Sequence, residues 1–300
     1  MSQNKRQRLR QQLRAGECII APGVYDCLSA RIAEQAGFDA VMVSGAGVAA
    51  SALGVPDLGL LTFSESLAVT RAIVNTTSAG VIADCDTGYG SPLNVHRTVR
   101  EFEQAGVAAL FIEDQVSPKK CGHFVGKDVI SPLEMGQKIR AAVDARRDQD
   151  LLLIARTDAR AIEGPEAALR RARSYVAAGA DAIFIEAPLT RQELADNVVA
   201  LADLGVPLMA NMAEGGKTPL LPGNELAALG YGIVTFPGAL QKTALWAMEQ
   251  LAASMRSTSG VAEFFPDRMM SLDQRSTLLG LRTFQELDDR YANSAQSGIE

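Results

Sequence analysis

The sequence contains little of what would mark a secreted or membrane protein. Only four of its 300 residues are cysteines, and no two form a Cys-x-x-Cys pair. Neither a disulfide framework nor a cysteine-based zinc site is therefore predicted. No window approaches eighteen consecutive apolar residues, and the first residues lack the apolar core of a signal peptide. We therefore expect a cytoplasmic protein that does not bind a membrane.

Basic residues are fewer than acidic ones and form no stripe along the chain. The sequence has 29 lysines and arginines against 35 aspartates and glutamates, a formal charge of -6. Binding to nucleic acid through its phosphates needs a basic surface, so no nucleic-acid partner is expected. The hydrophobic fraction of 47% and charged fraction of 21% are close to the globular average. This composition argues against a disordered or fibrous chain.

A helix, a glycine and a short apolar run recur along the chain. The pattern occurs at 34–40, 103–109 and 177–182, with a looser copy at 228–232. Glycine after a helical stretch supplies the left-handed conformation that ends a helix, and the apolar run that follows is typical of a buried parallel strand. The eight apolar runs are 18–21, 40–43, 80–83, 109–112, 152–155, 182–185, 207–210 and 232–236.

Eight alternating strand and helix units predict an α/β fold, a closed (β/α)₈ barrel of the TIM type. The same alternation also allows an open doubly wound sheet. Two features oppose that alternative: no Gly-x-Gly-x-x-Gly segment follows the first strand, and polar residues follow nearly every strand. We expect one barrel domain over 1–300, with an N-terminal helix in 1–17. The segment from about 240 to 300 exceeds a minimal barrel and is expected to pack on a neighbouring subunit.

Charged and polar side chains cluster where the predicted strands end. They are Ser44, Gly45, Asp84, Asp86, Glu113, Arg156, Glu186 and Asn211. The carboxylates of Asp84, Asp86 and Glu113 would repel one another if crowded, and a divalent cation relieves such repulsion. Donors that are all oxygen favour Mg²⁺ or Mn²⁺ over zinc. The alternative is that these acids only pair with Arg156 and nearby lysines.

The loop after the fourth strand, 115–129, is long and rich in reactive side chains. It contains Lys119, Lys120, Cys121 and His123. Its position at the mouth of a barrel is typical of a mobile lid over an active site. Flanking cations, a protonated His123 among them, would favour the thiolate of Cys121 or make its thiol a competent proton donor.

Several segments of the chain match the motifs of one enzyme superfamily. They are 22–26, 43–45, 53–57, 84–90, 113–115, 119–123, 155–159 and 211–219. Through them the chain resembles the isocitrate lyase and phosphoenolpyruvate mutase superfamily over nearly its whole length. The Lys-Lys-Cys-Gly-His segment is specific to the lyases, because the mutases lack this cysteine and histidine. The chain is most similar to the 2-methylisocitrate lyase, 2,3-dimethylmalate lyase and petal death protein group.

The resemblance implies a carbon–carbon lyase that needs Mg²⁺ (or Mn²⁺) and cleaves a small 2-hydroxy di- or tricarboxylate to pyruvate and a second carboxylate. It implies that Asp86 ligates the metal, that Asp84 and Glu113 hold its waters, and that Asp57 supports this site. The implied catalytic residues are Cys121, as general acid, with Lys119, His123 and Arg156. The implied substrate contacts are Ser44, Gly45, Gly122, Glu186, Asn211, Thr218 and Pro219. A homotetramer, a dimer of helix-swapped dimers, is also implied.

Two alternatives to this function stay open. One is an oxaloacetate hydrolase or decarboxylase on the same metal site, and the other is a catalytically silent barrel that serves as a scaffold. Met42 stands where the methylisocitrate enzymes often have an aromatic residue, which weakens that substrate assignment. Pro237 stands where oxaloacetate hydrolases tend to have serine, which argues against hydrolysis. No carboxylate of the expected metal site is missing, which argues against a scaffold.

Overall fold

Eight parallel strands form a closed barrel. The structure, a computed structural model, describes residues 5–264 and 267–296, with side chains described up to residue 292. The strands pair in chain order and the last pairs with the first, so the predicted (β/α)₈ fold is confirmed. They are β1 Ile19–Val24, β2 Ala40–Val43, β3 Gly80–Asp84, β4 Ala109–Glu113, β5 Leu152–Thr157, β6 Ala182–Ile185, β7 Leu208–Asn211 and β8 Ile233–Phe236. β2 and β6 have the predicted bounds, β8 is one residue shorter than predicted, and the others are shifted or extended by a few residues.

Helices precede the barrel and connect its strands. They are α1 Lys5–Arg14, α2 Cys27–Gln35, α3 Gly45–Val48, α4 Phe63–Thr76, α5 Pro92–Ala105, α6 Pro132–Ala145, α7 Arg160–Glu163, α8 Pro165–Ala177, α9 Arg191–Leu201, α10 Gly223–Leu229, α11 Ala239–Thr258, α12 Leu272–Leu278 and α13 Leu281–Gln296. A π-helical turn, Ala49–Leu53, follows α3, and a 3₁₀ turn, Ala202–Leu204, follows α9. α1 lies within the predicted N-terminal helical segment.

An apolar cluster fills the barrel interior and determines where the polar residues point. It includes Ile19, Ala21, Ala40, Met42, Ile82, Ala109, Phe111, Leu152, Ile154, Ala182, Phe184, Met209 and Ile233 of the strands, with Leu9 of α1. Successive side chains of a strand alternate between its faces, so the residue two positions after an inward-facing one also faces inward. The polar residues two positions after a strand member of this cluster are Ser44, Asp84, Glu113, Arg156, Glu186, Asn211 and Thr235. They meet at the carboxyl ends of the strands.

The chain divides into two compact units, 1–241 and 242–300. The first contains the barrel, and the boundary lies close to the predicted start of the C-terminal segment. The second contains α12 and α13 and carries exposed apolar side chains such as Trp246 and Phe284. The exchange of this segment between subunits and the homotetramer stay predictions. In the described part of the chain, no helix combines the length and the apolar character needed to span a membrane.

Candidate active site

The carboxyl ends of the strands and the loop 115–129 enclose a cavity of about 80 Å³. The predicted site residues that line it are Ser44, Asp57, Asp84, Lys119, Cys121, Gly122, His123, Arg156, Glu186 and Asn211. Three more, Gly45, Asp86 and Glu113, contact these lining residues without lining the cavity themselves. Thr218 and Pro219 do not line this cavity, although the N–H of the preceding Lys217 bonds His123 in its wall, and Thr218 is buried.

The predicted lid, 115–129, is folded down over the cavity. Gly122 packs so tightly that a Cβ there would lie 2.5 Å from Nη2 of Arg156 and 2.6 Å from Cγ of Glu186. Upstream, the side-chain amide of Gln115 donates to the carbonyl of Lys120 at 2.8 Å and accepts from its N–H at 3.0 Å. This closed arrangement requires glycine at 122, because any side chain would collide with the two charged groups below.

Lys119 lies between the predicted metal ligands. Its Nζ is 2.6 Å from Oδ1 of Asp57 and 2.7 Å from Oδ1 of Asp86. Burial lowers the pKa of Lys119, but the surrounding carboxylates, Asp86 foremost, outweigh burial and raise it, so the ammonium is charged. Burial raises the pKa of Asp86 to about 6, although Lys119 opposes this. Asp57 and Asp86 are thus ion-paired with Lys119 in this arrangement.

Backbone geometry fixes the two aspartates of this cluster. Asp86 has a φ of 46°, a left-handed conformation that costs free energy in any residue with a side chain. Oδ1 of Asp84 accepts a hydrogen bond from the N–H of Asp86 at 3.0 Å, and its Oδ2 accepts one from the N–H of Gly45 at 3.1 Å. Asp84 thus holds the turn that brings Asp86 to Lys119. The amide of Gly45 is already bonded, so its predicted contact with substrate would require Asp84 to release it.

The cluster fits a divalent cation in its chemistry. Asp57, Asp84, Asp86 and Glu113 set four carboxylates against the single ammonium of Lys119, and all their donors are oxygen. Oε1 of Glu113 is buried without a hydrogen-bond partner among the described residues, and burial raises the pKa of this carboxyl. No three acidic, histidine or cysteine side chains of the described residues converge to hold an ion directly. An ion held by Asp86 and otherwise through water needs no such convergence.

Arg156 is fixed by carboxylates on three sides. Its Nε lies 2.9 Å from Oδ2 of Asp158 and 3.2 Å from Oε2 of Glu113, and its Nη2 lies 3.2 Å from Oε2 of Glu186. The guanidinium also stacks on the ring of Phe184, 5.0 Å from its centroid. Because these contacts leave the planar group little freedom, Arg156 presents its remaining N–H groups to the cavity in one orientation.

The thiol of Cys121 faces the cavity in a setting that differs from the expected one. Burial raises the pKa of Cys121, and burial lowers the pKa of His123. Nδ1 of His123 accepts a hydrogen bond from the N–H of Lys217 at 3.0 Å, so the proton of the neutral ring is on Nε2, 3.4 Å from Glu186. The expectation that a protonated His123 and the lysines favour a thiolate is therefore wrong. The other expectation, a protonated thiol that donates its proton, agrees with this setting.

We expect Cys121 to react slowly with iodoacetamide at pH 7. A raised pKa leaves less thiolate at any given pH, and only the thiolate attacks the reagent. Alkylation at pH 7 should be at least about tenfold slower than that of free cysteine, and should increase as pH rises through and above 9. Peptide mass spectrometry after timed labelling measures the rate at this residue alone. A rate that reaches its plateau below pH 8 would indicate a stabilised thiolate and contradict the assignment.

Part of the cavity wall is apolar, and from the sequence only Met42 and Pro237 of this part were considered. It consists of Met42, Phe111, Phe184 and Met209 from the barrel interior, with Ala46, Ala213 and Pro237 from the loops. The period of two along each strand could have identified the first four, since each stands two residues before a predicted polar residue. The cavity therefore has a polar face suited to carboxylates and this apolar face suited to an alkyl group.

A buried network below Arg156 was also missed. Asp114, just after β4, accepts hydrogen bonds from the hydroxyls of Thr157 and Tyr175, both at 2.7 Å, and from the N–H of Asp158 at 2.9 Å. Asp114 thereby holds the backbone of Asp158, whose carboxylate orients Arg156. The spacing Arg156-x-Asp158 could have indicated that the aspartate orients the arginine. Nothing in the sequence indicated that Tyr175 belongs to this network.

Sequence comparison places the chain among enzymes of one family. The phosphoenolpyruvate phosphomutase family profile matches residues 9–256. The 2,3-dimethylmalate lyase of Eubacterium barkeri is 44% identical over 289 residues, which cover 96% of this chain and 99% of that enzyme. The 2-methylisocitrate lyase of Aeropyrum pernix is 42% identical over 288 residues, which cover 96% and 91%.

Solved structures agree with the sequence relatives. A 2,3-dimethylmalate lyase, described as a PEP mutase/isocitrate lyase superfamily member, has a TM-score of 0.90 and 38% identity, covering 99% of this chain and 96% of that one. Oxaloacetate acetylhydrolase in complex with the inhibitor 3,3-difluorooxalacetate has a TM-score of 0.91 and 36% identity, covering 96% and 97%. The chain therefore belongs to the phosphoenolpyruvate mutase/isocitrate lyase superfamily and is a carbon–carbon lyase of that superfamily.

Proposed function

We propose that this protein is a Mg²⁺-dependent lyase that cleaves a 2-hydroxy acid of the 2,3-dimethylmalate or 2-methylisocitrate type to pyruvate and a second carboxylate. The observation that carries the proposal is the closed cavity, in which the protonated thiol of Cys121 and the guanidinium of Arg156 face one small space beside Asp57 and Asp84. The similarity to two lyases that act on such acids supports it.

The reaction is a retro-aldol cleavage. Arg156 and the hydroxyl of Ser44 bind the carboxylate of the part that becomes pyruvate, and the rigid contacts of Arg156 set its orientation. The substrate hydroxyl gives its proton to a carboxylate of the cavity wall, Asp57, Asp84 or Glu186. The adjacent carbon–carbon bond breaks, and the bonding electrons stay on the departing carbon as a carboxylate-stabilised carbanion. Sγ of Cys121 then donates its proton to this carbon. The closed lid excludes water that would otherwise protonate the carbanion.

The carboxylate cluster would hold the metal. Asp86 is the proposed direct ligand, with Asp84 and Glu113 acting through water and Asp57 in support. A bound Mg²⁺ supplies a Lewis acid that lowers the pKa of the substrate hydroxyl. Lys119, paired with Asp57 and Asp86, offsets part of the negative charge of the cluster. His123, neutral and next to Glu186, completes the polar wall.

The apolar wall favours a compact substrate with a methyl group. Met42, Phe111, Phe184 and Met209 offer an alkyl substituent a surface that a free carboxylate would avoid. The cavity of about 80 Å³ is also small beside the roughly 300–1,000 Å³ of drug-sized ligand sites. Both features favour the dicarboxylate 2,3-dimethylmalate over the bulkier tricarboxylate.

Hydrolysis or decarboxylation of oxaloacetate is the second candidate function. It is favoured by the similarity to oxaloacetate acetylhydrolase. The same metal cluster could stabilise an enolate without cutting a bond next to a hydroxyl group. Pro237 in the cavity wall has no hydroxyl group with which to orient a nucleophile, which argues against hydrolysis.

Product analysis distinguishes the two candidates. We expect the enzyme with Mg²⁺ to release pyruvate from 2,3-dimethylmalate or 2-methylisocitrate. A coupled lactate dehydrogenase reaction measures this release. Propionate or succinate should form in equal amount, because each hydroxy acid splits into two carboxylates. Oxaloacetate should give neither oxalate with acetate nor enzyme-dependent pyruvate. Turnover of oxaloacetate alone would transfer the assignment to the second candidate.

Removing the metal should abolish turnover. We expect EDTA-treated enzyme to lose more than about 99% of its pyruvate release, since Lewis-acid stabilisation contributes several kcal/mol and each 1.4 kcal/mol is tenfold. Mg²⁺ or Mn²⁺ should restore activity, and thermal unfolding should check that the apo-enzyme stays folded. Full turnover in excess EDTA would contradict the proposed metal site.

A further inference from the structure

Lys127, a lid residue without a role in the proposed reaction, has a buried side chain that joins the lid to the barrel. Its side chain is 2% exposed. Its Nζ donates hydrogen bonds to the carbonyl of Gly122 and, at 2.7 Å, to Oδ1 of Asp158. Gly122 directly follows Cys121 in the lid, whereas Asp158 follows β5 of the barrel. One ammonium group therefore holds the residue next to the reactive cysteine.

Asp158 is shared between the lid and Arg156. Its carboxylate accepts hydrogen bonds from Nε of Arg156 at 2.9 Å and from Nη2 at 3.2 Å, besides the one from Lys127. Burial raises the pKa of Asp158, but Arg156 and Lys127 together hold it at about 2, so the group is ionised. The guanidinium and the lid thus have a common anchor at a fully buried carboxylate.

The lysine next to Cys121 is held differently. Nζ of Lys120 donates at 2.6 Å to the carbonyl of Gly126, so its bond stays within the lid and is exposed. Lys120 and Lys127 therefore carry the same charge in the same loop, and each donates to a carbonyl of that loop. They differ in that Lys127 also bonds the barrel, so Lys120 is a matched control.

We propose that Lys127 is a positioning residue that couples closure of the lid to the orientation of Arg156. When its ammonium bridges Gly122 and Asp158, the thiol of Cys121 is held over the cavity while Arg156 is in the orientation that binds a carboxylate. Lys127 does not line the cavity and touches no substrate. Its effect on the reaction passes through the position of Cys121, while Asp158 keeps its own bonds to Arg156.

The first test needs no substrate. We expect Lys127→Met to raise the rate of Cys121 alkylation by iodoacetamide about ten- to a hundredfold, as loss of a charge-assisted hydrogen bond increases the population of open lid. Lys120→Met should leave the rate within about twofold of wild type. Lys127→Arg keeps the charge, so its rate of Cys121 alkylation should lie close to that of wild type. Equal rates in Lys127→Met and wild type, or the same acceleration in both methionine variants, would overturn the proposal.

Lys127→Met should fold, because Asp158 keeps its two bonds to Arg156 after Lys127 is replaced. Lys120→Met should also fold, because it removes only an exposed bond within the lid. If Lys127→Met unfolds, Lys127→Gln keeps an amide donor at that position and should give an intermediate alkylation rate. A wild-type alkylation rate in a folded Lys127→Gln protein would overturn the proposal.

The second test is kinetic and rests on the proposed function. Lys127→Met should lower kcat for pyruvate release about tenfold or more and change KM less, since Arg156 keeps its contacts with Asp158. If no hydroxy acid is turned over by wild type but alkylation responds as expected, the proposed function fails and the coupling stands. If wild type is active and Lys127→Met matches it in kcat and in alkylation rate, the proposed coupling fails and the proposed function stands.

Discussion

Replacing Cys121 with serine should lower kcat by about a hundredfold to ten-thousandfold, the usual contribution of a positioned general acid. Serine keeps the size and shape of the side chain, but its hydroxyl is a far weaker acid than a thiol. KM should change little, because the proposed substrate contacts, Arg156 and Ser44, stay in place. Steady-state kinetics at saturating Mg²⁺ give both constants.

Cys27→Ser is the matched control for this change. Cys27 is half-buried at the start of α2 and does not line the cavity, so this variant should keep kcat within about threefold of wild type. Thermal unfolding of both variants separates lost catalysis from lost folding. Wild-type kcat in a folded Cys121→Ser protein would remove the cysteine from the mechanism.

Arg156→Lys should lower kcat/KM by about a hundredfold and also destabilise the fold. A planar guanidinium contacts Asp158, Glu113 and Glu186 at once, whereas one ammonium group on a shorter side chain cannot reach all three. Each lost charge-assisted hydrogen bond costs roughly 1.5–3 kcal/mol, and 1.4 kcal/mol is tenfold in rate. Chemical denaturation should report a loss of about 3 kcal/mol in the free energy of unfolding, since a buried carboxylate loses its partner.

Arg160→Lys offers the same substitution outside the cavity. Arg160 lies in α7 and binds Glu193 through two hydrogen bonds, at 2.6 and 2.8 Å, near the surface. Replacing it should cost at most about 1 kcal/mol of stability and leave kcat/KM within about threefold of wild type. Equal losses in the two lysine variants would mean that Arg156 acts only on stability.

The barrel and most of the site follow from short-range patterns. The apolar run 40–43 gave the bounds of β2, because a strand covered on both faces needs apolar residues throughout. The alternation of side chains along a strand then carries Asp84, Glu113 and Arg156 inward, two residues after Ile82, Phe111 and Ile154. These positions depend only on local geometry, which the sequence encodes directly.

Pairings between distant loops could not be predicted in the same way. Lys127 and Asp158 belong to different loops, and their contact depends on how the lid folds over the barrel. The pKa of Cys121 is raised by burial, which outweighs the hydrogen bond from the backbone of His123 and the charge of Arg156. The flanking lysines bond elsewhere: Lys119 pairs with Asp57 and Asp86, and Lys120 bonds within the lid.

The central claim is that the enzyme cuts a carbon–carbon bond and that Cys121 delivers a proton to the carbanion. The most direct test is NMR of the products formed in D₂O from the hydroxy acid with the highest turnover. The account predicts pyruvate and an equal amount of propionate or succinate, with one deuterium at the new C–H position in a single configuration. Deuterium in both configurations, or no second carboxylate at all, would contradict it.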